Sequence, residues 1–423
     1  MIARAAAVLV VTIQALAGPL TPPAGTPAPT DTALRNTDPR TPLNATTAPS
    51  SPSANHVIST PGTYFLTGDI IAEQNKTAIQ INAIGVTLDL NGFELIGLGL
   101  FTTVSVNGIS PADGAVIRNG HIRDFTAFAI EGNFDDDLLI ENITVRDCGA
   151  GIATSTNSRV LNCAVYDTDA SGIRVGNASL VEGCVSDGNT QSGIVAGSGS
   201  IVLNATASNN GADGVFGNAN VLIQGCVASE NATDGIQMFF GGSVIDCVSS
   251  GNTIGFTSGA STLFHRCHAY DNSNDGFELN QGCVARACVS ISNEFFGYRM
   301  QGAQLVDSVA RGNSFSGINL VDDCVVRECH SFQNDQAFGS GAGIRAEGTG
   351  NVIQNNISRD NGGFGIQLFA ANGNRVFGNW SLDNTGGSYA VPLGNAYGPY
   401  VNVVDGNISG QAFSDHPLAN FQN

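Results

Sequence analysis

The sequence predicts an all-β fold, a single-stranded right-handed parallel β-helix of about 13 coils of 20–21 residues capped at both ends. Three phased observations carry that expectation. First, Cys163, Cys184, Cys226, Cys247, Cys267, Cys288 and Cys329 recur at steps of 20 or 21 residues or twice that, with Ala205 and Ser308 filling the gaps in register. Second, from Cys184 onward an Asn follows each marker position by five residues: Asn189, Asn210, Asn231, Asn252, Asn272, Asn293, Asn313 and Asn334. Third, a Gly followed by an apolar residue comes shortly after, as in Gly172-Ile173, Gly235-Ile236, Gly276-Phe277 and Gly317-Ile318. Each repeat buries its apolar side chains only against its neighbours, so the same phase must satisfy the same physical demand in every coil.

The elements follow in order. Residues 1–17 read as a secretory signal: Arg4 supplies the positive start, Ala5 to Leu16 the apolar run, and Ala15-Leu16-Ala17 the small-x-small cleavage site. That run is too short for a comfortable membrane span and no second one appears, so the expected location is secreted or at the cell surface, with no span left after cleavage. Residues 18–55, rich in Pro, Thr, Ala and Ser, read as an extended linker or a strap along the fold surface. The β-helix is expected over 56–388, with 56–85 as its N-terminal cap, because open solenoid ends expose strand edges.

Within a repeat such as Val221 to Met238, period-two alternation separates three short strands by turn residues. The residue three before each marker (Val160, Val181, Val202, Ile223, Val244) points inward, as do Ile236 and Met238 after the Gly. The Asn side chains are expected to bond to one another up the stack and to tolerate left-handed backbone, and the Gly to mark the bend into the next strand. The non-repeating segment 389–423 closes the C-terminal end.

Composition narrows the partners. The chain has 423 residues, a formal charge of −19 and a single lysine, Lys76. Nucleic-acid binding depends on a basic surface, so that class is excluded. Extracellular polysaccharide or a cell-surface glycan is the partner expected, and Ca²⁺ the one candidate ion. Seven of the ten cysteines share one ladder, one per repeat, with neighbouring coils about 4.8 Å apart, while Cys283 and Cys324 share another phase two repeats apart and Cys148 has no evident partner. Disulfide geometry is poorly met there, so they are expected as small apolar thiols in the core.

Val86-Thr87-Leu88-Asp89-Leu90-Asn91-Gly92-Phe93, after Pro61-Gly62-Thr63-Tyr64-Phe65-Leu66-Thr67-Gly68, resembles the opening of secreted bacterial β-helix proteins of the pectate-lyase-like superfamily. The leader around Pro39-Arg40-Thr41-Pro42 and the tail Asp415-His416-Pro417 resemble one subset of it. The resemblance implies the fold and leaves the chemistry open, since that superfamily holds lyases, hydrolases, epimerases and non-catalytic binders. The polygalacturonase-type succession Asn-Thr-Asp, Asp-Asp, Gly-His-Gly, Arg-Ile-Lys is not matched: Asp135-Asp136-Asp137 and Asp322-Asp323 stand without the rest.

Candidate chemistry is therefore sought by column. The outward position after the Gly-apolar pair runs Arg174, Val195, Phe216, Gln237, Thr257, Glu278, Arg299, Asn319, Arg345 and Gln367. Asp275, Glu278 and Arg299 form the catalytic candidate: a polysaccharide lyase needs a base and a stabilising cation, a glycosidase two carboxylates. Asp213 and Asp234, about 5 Å apart on adjacent coils, are the metal candidate. Phe239, Phe240, Phe295 and Phe296 are the sugar-stacking candidates. The alternative is a non-catalytic adhesion or structural rod, homo-oligomeric through the outward apolar stripe Val185, Val227, Val248, Val289 and Val309, with Glu278 and Arg299 a solvated ion pair.

Overall fold

In the computed structural model the described residues are 39–99, 106–337, 339–403 and 415–423. The secretory signal expected at 1–17 lies outside them, as does most of the expected linker. Among the described residues every regular element is a strand, and no helix is long and apolar enough to cross a membrane.

Short strands repeat in threes and form three parallel ladders, so each turn of the chain contributes one rung to each of three faces. Face I follows the Gly-apolar pair and holds sixteen strands, from Ala54–Ile58 to Gly387–Ala390. Face II precedes the marker, from Thr41–Pro42 through Arg159–Leu161 to Ala396–Tyr397. Face III follows the marker, from Ile70–Ile71 through Ala164–Tyr166 to Asn420–Gln422. Val116–Arg123 and Leu139–Arg146 run through both faces II and III.

The solenoid makes about 17 turns rather than about 13. The additional turns lie where the markers are missing. At the N-terminal end Thr41 pairs with Tyr64 and Tyr64 with Leu88, and at the C-terminal end Val376 pairs with Tyr397. Ladder hydrogen bonds need rungs to align, while turns absorb inserted residues, so a coil forms without the 21-residue period. The first rung thus falls inside the segment read as linker, and residues 389–423 carry rungs of their own.

The inward columns are continuous. Ile152, Ile173, Ile194, Val215, Ile236, Phe256, Phe277, Tyr298 and Ile318 stack on face I in register, all buried. Phe256 stacks on Phe277 at 4.7 Å and Phe277 on Tyr298 at 4.9 Å. All ten cysteines are free and buried, and the Cys163 and Cys226 amides donate to the sulfurs of Cys184 and Cys247 on the next coil.

The Asn ladder is an unbroken amide chain. The Nδ2 group of Asn189 donates to Oδ1 of Asn210 at 2.9 Å, and the relay continues through Asn231, Asn252, Asn272, Asn293, Asn313, Asn334, Asn361 and Asn384. The left-handed residue is not the Asn but the one before it, such as Asn209, Glu230 or Asp271. The Gly ladder also has a different cause from the bend expected. Gly172, Gly235 and Gly276 lack positive φ; a Cβ on Gly235 would lie 1.9 Å from the Ser249 oxygen and 2.7 Å from Asn252 Nδ2. Glycine is required there because the buried polar ladder passes through the space a side chain would need.

Downstream, two further Asn stacks appear. The cysteine column gives way to Asn356, Asn379 and Asn420, and the Cys283–Cys324 column to Asn351, Asn374 and Asn395. A buried amide satisfies the same backbone N–H that the smaller residue left to sulfur or hydroxyl.

Candidate functional site

The outward column of face I is in register along its length: Arg174 with Val195, Val195 with Phe216, Phe216 with Gln237, Gln237 with Thr257, Thr257 with Glu278, Glu278 with Arg299, and Arg299 with Asn319. Parity places these side chains opposite the buried Ile and Phe stack.

Glu278 and Arg299 are register partners, yet no ion pair joins them among the described residues. Glu278 is half-buried and Arg299 exposed, so both remain addressable from solvent. Behind them sits Asp275, 1% exposed. One of its oxygens accepts the Phe296 N–H at 3.0 Å. Burial pushes the Asp275 carboxyl up to about 6; the Phe296 amide and the Arg299 charge pull it down, and Glu278 pushes it up. Asp275 is thus buried behind the Glu278 and Arg299 rungs, with one oxygen committed to the backbone of the next coil.

Asp234 repeats the arrangement upstream. It is 8% exposed and accepts from the Gln237 amide at 3.1 Å. Burial raises it to about 6, the Gln237 bond pulls it down, and the Asp213 and Glu278 charges push it up. Asp213 and Asp234 lie on adjacent rungs as the phase predicts. Asp213 Oδ1 accepts the Thr233 hydroxyl and the Asp234 N–H. Among the described residues no three His, Cys, Asp or Glu groups converge as a metal would need.

The phenylalanines fall into two groups. Phe239 and Phe240 end the strand Asp234–Phe240 and are 63% and 50% exposed. Phe295 and Phe296 enter face I from its opposite end. Phe296 is buried, and Phe295 stacks on Phe315 at 5.2 Å. The Arg345 guanidinium lies 5.2 Å from the Phe315 ring and 4.4 Å from Phe369. Of these four, Phe239, Phe240 and Phe295 present ring surface to solvent, and Phe296 does not.

Beyond the column, at the turn leaving face I, a groove of about 500 Å³ is lined by Gly259, Ala260, Asn280, Gln281, Gln301, Gly302, Asp322 and Asp323. A small cleft holding Glu278 and Arg299 shares Asn280 and Gln301 with it, so the charged pair opens onto an amide-rich channel. Sequence reasoning passed over these amides. Asn280 and Gln301 share a phase one residue past the inward Leu279 and Met300, which is the signal that points to them. His265 pairs in register with Arg286 on face II, as its phase predicts. The valine stripe is likewise in register on face III, with Val227 39% exposed.

A family model described as "Right handed beta helix region" matches residues 99–212. Among solved structures, the mannuronan C-5 epimerase AlgE4 A-module of Azotobacter vinelandii is similar over 79% of this chain and 88% of its own, at 16% identity and a TM-score of 0.34. The periplasmic alginate epimerase AlgG is similar over 85% and 82%, at 10% identity and a TM-score of 0.36. The N-terminal fragment of bacteriophage Phi29 gene product 12 is similar over 82% and 70%, at 11% identity and a TM-score of 0.44. No curated protein matches. The three parallel ladders and the family match together make this chain a right-handed parallel β-helix.

Proposed function

We propose that this protein binds extracellular polysaccharide along face I and carries acid–base chemistry on it at Glu278 and Arg299. One observation supports the reading above the rest: a carboxylate and a guanidinium stand side by side on adjacent rungs without pairing, in front of a buried carboxyl raised to about 6, and open onto an amide-lined groove. Amides and carboxylates satisfy sugar hydroxyls, and a site built from a few convergent polar groups is where a ligand is expected.

On a uronate chain, Glu278 would take the proton next to the carboxylate while Arg299 stabilises the charge left on it; the C–O bond to the next sugar then breaks, a C=C bond forms, and the departing oxygen takes a proton from water. The test is incubation with a panel of acidic and neutral polysaccharides, with and without Ca²⁺. It reads bound fraction, new reducing ends and absorbance of the unsaturated uronate. Glu278→Gln is expected to lower turnover at least 100-fold while binding changes less than threefold. Binding with no product in any member of the panel leaves a glycan-binding rod; no binding at all removes the glycan reading.

A second reading has its own observation. Asp213 and Asp275 both spend an oxygen on the backbone of the next coil, which is a structural task. In a non-catalytic rod Asp275→Asn would alter stability alone, because the amide oxygen still accepts the Phe296 N–H.

A further inference from the structure

A second cleft lies upstream on the same face, about 330 Å³ in volume, over the rungs of Arg174, Val195 and Phe216. Its chemistry is the reverse of the site around Glu278. In a chain with 36 Asp and Glu residues, none of the residues lining this cleft is acidic. Arg174 is exposed and enters no ion pair among the described residues. Asn177 and Asn218 have their carbonyl ends held by the backbone N–H groups of Ser198 and Ala219. Their NH₂ groups meet no acceptor among the described residues. Between these donors, Val195 and the half-buried Phe216 form an apolar floor one rung apart.

We infer that this cleft is an anchoring subsite for a carboxylate-bearing sugar, with Arg174 holding the carboxylate, Asn177 and Asn218 donating to ring or hydroxyl oxygens, and Phe216 packing against a sugar face. The guanidinium fork matches a carboxylate in two parallel bonds, and an aromatic ring gives a flat apolar partner. The donors match a ligand that brings acceptors and negative charge, and they leave a proton donor such as an ammonium group unmatched. From Arg174 to Glu278 is five rungs, about 24 Å at roughly 4.8 Å per rung. A saccharide chain laid along the axis would be gripped here by donors alone and meet its first carboxylate–guanidinium pair downstream. This inference rests on the reading of face I as the glycan-facing side.

The test uses the full chain and three trisaccharide probes of one linkage, a uronate, a sulfated and a neutral one, each too short to span both sites, titrated calorimetrically. The uronate trimer is expected to bind the wild type, with Arg174→Gln and Asn218→Ala each weakening it about tenfold and Glu278→Gln and Arg299→Gln leaving it within twofold. The neutral trimer is expected at least tenfold weaker. Arg174 is exposed, so its variant keeps the fold, which circular dichroism checks. Equal binding by the Arg174→Gln variant, or by the neutral trimer, overturns the subsite. Preference for the sulfated trimer overturns the carboxylate assignment. Loss in Arg299→Gln with retention in Arg174→Gln puts the trimer downstream and overturns the cleft while leaving the proposed function standing. Retained trimer binding together with no turnover of any polysaccharide does the reverse. No binding of any trimer or polymer removes both.

Discussion

Asp275 shows how a single residue is set by its surroundings. A carboxyl raised by burial binds protons more tightly in the folded chain than in the unfolded one, so stability is greatest at low pH and is lost as pH rises from about 4 through about 6. Asp234 acts in the same direction. Asp275→Asn is therefore expected to raise the melting temperature at pH 8, by a free energy of about 1–3 kcal/mol. It should change little at pH 4, where the native carboxyl is protonated; differential scanning calorimetry at the two pH values checks this. A lower melting temperature at both would mean that the Phe296 cap needs a carboxylate. At the same scale, burial pushes the Cys148 and Cys329 thiols up to about 12. All ten cysteines are buried out of reach of solvent, so they should resist a thiol reagent in the native protein and react once denatured.

At the scale of the element, the turn between faces III and I is the most constrained part of a coil. Asn252 donates to Ser249 Oγ at 2.9 Å and to the Ala228 carbonyl at 3.1 Å, while its own oxygen accepts the Asn231 N–H and Nδ2. Asn252→Ala strands these partners in a dry interior and should cost about 2–4 kcal/mol. Gly235→Ala forces a Cβ against Ser249 and Asn252 and is expected to cost as much, whereas Gly68→Ala, with open space around it, should be near neutral. Chemical denaturation of the three variants checks the order. The identity of the Asn was legible because every coil needs an amide that both donates and accepts along the axis. The left-handed residue before it was not, since Gly, Asn, Asp, Glu, Ser and Gln all occupy that place. The reason for the Gly was also hidden, because a close approach exists only once the neighbouring coil is in position.

For the whole molecule, each coil contacts only those above and below it, so protection should grade from the ends inward. Hydrogen exchange is expected to be slowest in the coils between Cys184 and Cys329, where the Asn column is unbroken, and fastest at the first rungs near Thr41 and the last near Tyr397. Uniform protection along the rod would show cooperative coupling beyond nearest neighbours.

Phase alone determined the fold, the inward columns and the adjacency of Glu278 with Arg299, because residues one period apart must lie over one another when rungs share hydrogen bonds. Tertiary structure decided what period cannot carry. It set the coil number at ends that lack the markers, and the depth at which Asp275 sits. It also divided Phe239 and Phe240 from Phe295 and Phe296, and gathered Arg174, Asn177 and Asn218 into a cleft free of acids. Those depend on how far each turn bulges and what covers it, and a turn's path is fixed only by the coils packed on either side.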